Sequence, residues 1–138
     1  MIRVDFHAHL EDPLGYACRL VRKAYRATHQ LIVLGEPAVL RAFDRQLWIF
    51  SPLDFIPHCM AGSPLTDDTP VILTTDLDQA PFYPIMLNLG SKVPKQFARF
   101  QRLIEIISND KHELAAARNR YRFYQDQGYA LNTYKRGE

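Results

Sequence analysis

The sequence predicts a single three-layer α/β domain, residues 1–138, with a mainly parallel sheet of about five strands and helices on both faces. Three observations point to it. Short apolar runs alternate along the chain with stretches of helical period. Leu31-Ile32-Val33-Leu34 is continuously apolar, as a parallel strand covered on both faces must be. The first strand, helix and strand follow one another as a β-α-β unit, whose crossover brings two parallel strands into one sheet. The arrangement is Rossmann-like without a dinucleotide motif, since Gly35 and Gly90 stand alone and neither Gly-rich phosphate loop is present.

Taken in order, Ile2, Val4, Phe6 and Ala8 alternate with Arg3, Asp5, His7 and His9, the period of a strand with one buried face. Asp12 and Pro13 open a helix, in which Leu14, Ala17, Cys18, Val21, Ala24 and Tyr25 recur at helical spacing. After the Leu31 strand, Gly35-Glu36-Pro37 starts a second helix with Val39, Leu40, Phe43 and Leu47 as its apolar stripe and Trp48 at its end. Residues 49–62 are apolar, but Pro52 and Pro57 forbid a regular helix there. Residues 71–75 and 85–89 read as strands joined by a hairpin or a loop crossover, residues 94–100 as a short helix, and Leu103 to Ile107 as a fifth strand. The terminal helix spans the region from Leu114 to Gly128, with Asn109 or Asp110 to cap its start and Gly128 to take the left-handed turn that ends it. The tail from Tyr129 to Glu138 is expected to be partly disordered.

Composition narrows the function classes. The 47% hydrophobic and 23% charged content is that of an ordinary globular protein, and no apolar run approaches the ~20 residues of a membrane span. Cys18 and Cys59 are too few for a disulfide framework and the N-terminus lacks signal-peptide character, so a reducing cytoplasm is expected. Net charge +2 is too small for wholesale neutralisation of a phosphate backbone. The charge is nonetheless uneven, with one basic set at Arg19, Arg22, Lys23 and Arg26 and another at Arg118, Arg120, Arg122, Lys135 and Arg136.

Asp5, His7 and His9 share one face of the first strand by alternation, which is what a metal-ligand set requires. This resembles the His-x-His strand of metal-dependent amidohydrolases, whose large barrel 138 residues cannot build, so ordinary histidines and no metal are expected. Pro57-His58-Cys59 sets a Cys beside a His in sequence, which does not orient a catalytic pair, and His58 reads as structural.

Two stretches carry the stronger signal. On the terminal helix, Leu114, Ala117, Tyr121 and Tyr124 fall on one arc, edged by Gln125, Arg118 and Arg122. Either this strip packs on the core with its arginines in water, or the side with Arg118 and Tyr121 receives an acidic peptide. Arg offers a planar donor fork to a carboxylate, and Tyr offers apolar area with a polar tip. In the apolar loop, Trp48, Phe50, Phe55 and Ile56 show no helical or strand period, which fits either ordinary core or an aromatic patch for a protein partner.

Three blocks in order, from Arg41 to Trp48, from Phe55 to Gly62 and from Ala117 to Tyr129, resemble the chi subunits of bacterial DNA polymerase III. Leu87-Asn88-Leu89 followed by Pro94, and Ile104-Glu105-Ile106, agree with that likeness, which spans nearly the whole chain. The resemblance implies a replication adaptor without a catalytic site or cofactor. Such an adaptor links the psi subunit of the clamp loader to single-stranded-DNA-binding protein, and touches single-stranded DNA only indirectly. By position, Arg118 would pair with the terminal carboxylate of that protein's acidic tail, and Ile107, Tyr121 and Arg122 would form or rim the pocket for its last apolar side chain. Trp48 and Phe55 would face psi. A direct single-stranded DNA binder and a metal hydrolase using His7 and His9 are the competing expectations.

Overall fold

The computed structural model describes residues 2–50 and 55–135. Pro52 of the apolar loop and the terminal Arg136 and Glu138 lie outside the described residues. The chain runs β1 (Arg3–Leu10), α1 (Pro13–Arg26), β2 (Leu31–Leu34), α2 (Pro37–Ile49), β3 (His58–Met60), β4 (Val71–Thr74), β5 (Ile85–Asn88), β6 (Arg102–Ser108), α3 (Lys111–Asp126) and β7 (Ala130–Lys135). Seven strands, against the expected five or so, form one sheet in the order β3-β4-β2-β5-β6-β1-β7, and every pairing among the described residues is parallel.

The additional strands are the two edges. β3 arises inside the apolar loop, and β7 occupies the tail that composition marks as disordered. The tail is ordered by specific contacts: Asn132 donates to the Asp5 carboxylate at 3.0 Å, and Tyr134 stacks on His7 at 4.7 Å. Between β4 and β5 the chain makes a loop crossover, because β2 lies between the two strands and all three are parallel. The expected helix over residues 94–100 shrinks to one 3-10 turn, Phe97–Arg99, entered through Gln96 in the left-handed conformation (φ 62°).

Helix starts follow the sequence signals. Asp12 accepts from the Gly15 amide at 3.0 Å, and its Oδ2 occupies the space a Cβ at Gly15 would take, 2.1 Å from it, so a side chain there would displace the cap. Asp110 caps α3 by accepting from the amides of His112 and Glu113, and Gly128 ends it with φ +85°. The two faces of the sheet are covered differently. On one, Ala17, Cys18 and Val21 of α1 and Leu40, Phe43 and Leu47 of α2 bury Leu31, Val33, Val71 and Leu73; the Cys18 thiol is pushed up to about 12 by that burial. On the other, α3 covers β6 and β1, while Leu77, Tyr83, Phe97 and Phe100 from the loops cover Ile32, Ile72 and Met86. Loops replace helices there because the β4–β5 and β5–β6 connections are too short for crossover helices.

Both faces of β1 are covered from Val4 to His7, so Asp5 and His7 are buried with partners, contrary to the single buried face that alternation suggests. Burial works against the Asp5 carboxylate. Hydrogen bonds from Asn132 and Arg102 and the charges of Arg102 and Arg3 outweigh it, so its pKa lies below the ordinary 3.8. His7 Nδ1 shares a hydrogen bond with the Tyr16 hydroxyl. Burial lowers the His7 pKa, Asp5 opposes the shift and Arg102 adds to it. A bulge follows, with one extra residue between His7 and Leu10 and His9 at φ 60°, which turns Leu10 into the α1–α2 core.

The rotation of α3 is set by one buried carboxylate. Glu105, fully buried in mid-β6, accepts from Arg120 Nε at 3.2 Å, Asn88 Nδ2 at 3.0 Å and the Tyr124 hydroxyl at 2.8 Å. Arg120 Nη1 also donates to the Ser91 carbonyl at 2.8 Å, tying the chain after β5 to the helix. Burial pushes the Glu105 carboxyl above its ordinary value, while the charge of Arg120 and the three donors hold it back.

Arg120→Ala leaves this carboxylate short of its cation and should cost about 3–5 kcal/mol in urea unfolding. Arg118→Ala, at an exposed position, should change stability by no more than about 0.5 kcal/mol. Because the folded-state pKa of His7 is depressed, the unfolded chain binds the proton first as pH falls. Stability is therefore full above the ordinary histidine value near 6.5 and declines below it. His7→Gln should lose less stability than the parent protein between pH 7.5 and pH 5.5, read as the difference of two urea titrations about two pH units apart.

Candidate functional site

The Glu105 contacts turn Arg120 inward, and helical geometry then turns its neighbours outward. Residues two positions away on a helix lie about 160° to either side. Arg118 and Arg122 are exposed, and Arg118 makes no hydrogen bond or ion pair among the described residues. Tyr121 is half-buried beside them, its ring edge-on to Phe6 of β1 with centroids 5.2 Å apart. The three form one surface: an aromatic ring fixed from beneath, with two guanidinium groups to one side of it that no carboxylate among the described residues pairs. Ile107 is placed differently, at 2% exposure in the core under α3, so it supports this surface from within and does not rim it.

Sequence reasoning grouped Arg120 with the exposed cations. The signal that could have separated it is Glu105, an acid inside the apolar run Leu103-Ile104-Glu105-Ile106-Ile107, since a carboxylate in mid-strand must be met by a donor from the covering layer. Phe123, on the opposite side of α3, is 40% exposed and leans edge-on against Phe97 at 6.1 Å.

A second surface lies at the end of α2 and the β3 edge. The aromatic loop divides: Ile56 is buried and Phe50 half-buried against the α1–α2 core, whereas Trp48 is 50% and Phe55 66% exposed. Ile56 and Phe50 therefore belong to the core, and Trp48 and Phe55 are left at the surface. The Trp48 ring is fixed between Phe55, at 5.5 Å, and His58, at 4.4 Å. His58 is structural, with Nδ1 donating to the Ile56 carbonyl at 2.7 Å and Nε2 3.0 Å from the Asp44 carboxylate. Exposed Ile49 and Met60 extend the apolar area, which the sequence pattern did not single out.

The β1 histidines do not converge. His7 is engaged by Tyr16 and Tyr134, and His9, exposed at the bulge, turns away from it. Among the described residues no group of three or more His, Cys, Asp or Glu side chains is arranged to hold a metal ion. No helix among them is long and apolar enough to cross a membrane.

Comparison with solved structures places the fold beside the C-terminal domain of the DEAD-box protein Dbp5. The TM-score is 0.69 at 11% identity over 99% of this chain and 92% of that one. The S. cerevisiae Dbp5 C-terminal domain bound to Gle1 and IP6 gives a TM-score of 0.66 at 10% identity. At such identities the likeness concerns the fold alone. Sequence relatives are nearer. The DNA polymerase III subunit chi of Pseudomonas aeruginosa is 32% identical over 98% of this chain and 97% of its own length, and that of Haemophilus influenzae is 25% identical over 85% and 83%. Residues 1–132 match the family described as DNA polymerase III chi subunit, HolC. Matched by that family over residues 1–132 and by a relative at 32% identity over 98% of its length, the chain belongs to the family of DNA polymerase III chi subunits.

Proposed function

We propose that the protein is a non-catalytic adaptor of the DNA polymerase III holoenzyme in DNA replication, joining single-stranded-DNA-binding protein to the psi subunit of the clamp loader. The observation that carries this reading is the outward Arg118 guanidinium, unpaired among the described residues and standing beside the anchored Tyr121 ring. An acidic C-terminal tail with an apolar last residue supplies what that surface lacks, namely a carboxylate for the Arg118 fork and an apolar side chain for the Tyr121 ring. Arg122 adds a second cation at the rim, where its attraction is screened by salt. Buried Ile107 contributes stiffness beneath the pocket.

The Trp48 and Phe55 patch is the psi-facing surface in this reading. Large aromatic side chains held in place by neighbours lose little entropy on binding and bury much area, which is the character of interface anchors. The two surfaces lie on different elements, α3 and the end of α2, so one chain can hold both partners at once. Single-stranded DNA is then reached through the protein that coats it.

Arg118→Ala should weaken an acidic, Phe-ended tail peptide at least tenfold, about 1.4 kcal/mol, in fluorescence anisotropy. Unchanged affinity would remove the α3 site. Trp48→Ala should abolish co-purification with psi while leaving peptide affinity as it was. Retained psi binding would remove the α2 surface from the proposal.

A further inference from the structure

We infer that the acidic tail received by α3 binds as an added strand: its main chain pairs in parallel with the open edge of β7, and its last residue turns over that strand to Tyr121 and Arg118. This strand addition rests on the tail-binding reading of α3 and extends that site to its neighbour.

The two edges of the sheet are unlike. β3 offers three residues, and so short an edge resists pairing. β7 offers six, Ala130–Lys135, about 20 Å of extended chain, and among the described residues it pairs with β1 alone. Its register runs from Arg3↔Ala130 to Ala8↔Lys135 without a shift, so no bulge interrupts it, and it holds no proline. Alternate N–H and C=O groups along β7 therefore point away from β1, and no other described strand meets them.

This edge runs beside the α3 surface. Asn132 and Tyr134 turn to Asp5 and His7 on one face of the sheet, so alternation places Leu131 and Thr133 on the other, the face that α3 covers. Thr133 is the register partner of Phe6, on which Tyr121 rests. Phe6 is buried and Thr133 exposed, so α3 roofs β1 and stops short of β7. A shelf is left, floored by Leu131 and Thr133 and bordered by Tyr121. Round the helix, Arg120 points to β6 and to the chain after β5, Tyr121 points to β1, and Arg118 lies about 60° further in the same sense, on the β7 side.

Charge and direction select the occupant. From Tyr129 to Lys135 there is no acidic side chain, so an acidic segment meets no repulsion along the edge and finds Arg118 and Arg122 beside it. A second copy of the same edge brings a lysine and no carboxylate. α3 returns the chain from the carboxyl end of β6 to the amino end of β7, so Arg118, one turn before Tyr121, lies toward the carboxyl end of β7. A tail whose terminal carboxylate meets Arg118 thus runs in the direction of β7 and continues the parallel order of the sheet. Main-chain hydrogen bonds then supply affinity, and the last side chain reads the shelf.

The test is fluorescence anisotropy of the full chain with an acidic, Phe-ended peptide of about eight residues, and with the same peptide N-methylated at one backbone nitrogen at a time. A paired strand presents alternate N–H groups to its neighbour. N-methylation should therefore weaken binding about tenfold at every second position and leave the positions between within about twofold. Amide hydrogen exchange between Leu131 and Tyr134 should slow when the unmodified peptide is added. Equal effects at all positions, or unchanged exchange in β7, with Arg118→Ala still weakening binding, would overturn the added strand and leave the α3 reading standing. Failure of the unmodified peptide to bind would remove both. Dimerisation of the free chain in sedimentation velocity that slows exchange of the same amides would give the edge to a second copy and also overturn the assignment.

Discussion

A carboxylate buried in the middle of a strand is the constraint from which the rest of the binding architecture follows. Glu105 sits at 0% exposure in a parallel sheet, where leaving it without donors would cost several kcal/mol. It is met from two elements at once, by Asn88 on β5 and by Arg120 and Tyr124 on α3. Apolar packing is non-directional and does not by itself choose among polar side chains. A directional three-donor arrangement does. The rotation it imposes turns Arg120 inward, Arg118 and Arg122 outward, and seats Tyr121 on Phe6. The difference between an arginine that serves the fold and those left at the surface is therefore decided by one acid on a neighbouring strand.

The uneven covering of the sheet distributes the remaining surfaces. α1 and α2 bury one face, and their outer sides are left to a basic row and to an aromatic patch. On the other face a single helix and two loops suffice, because Phe97, Phe100, Leu77 and Tyr83 bring enough apolar area to replace a helix. The Arg118–Tyr121 surface and the Trp48–Phe55 patch thus fall on separate helices, α3 and α2.

The first strand shows how topology changes the meaning of a pattern. Apolar and polar residues alternate along it as they would in a strand with one wet face. β1, however, lies between β6 and β7 with Tyr16 of α1 over His7, and the buried Asp5 and His7 hold the last strand through Asn132 and Tyr134. The resemblance to a metal-binding His-x-His ends at the bulge, where the positive φ of His9 breaks the alternation that would have aligned the two rings. Tyr129, Thr133 and Tyr134 are strand-favouring residue types, but the stretch has no apolar alternation to fix a buried face. Its order comes from partners more than a hundred positions earlier in the chain.

The sequence alone determined what depends on local period and on end chemistry: the parallel α/β class, the three helices with Asp12, Pro37, Asp110 and Gly128 at their ends, the apolar β2 core strand, and the blocks that carry the family likeness. It also determined that Arg118, Tyr121 and Arg122 share one side of a helix, since that follows from spacing. Only the tertiary structure decided the two edge strands, the division of the aromatic loop into buried Ile56 and exposed Trp48 and Phe55, the burial of Ile107, and the inward turn of Arg120. Each of these depends on a partner distant in sequence, and spacing along one segment carries no information about which face of it another segment will cover.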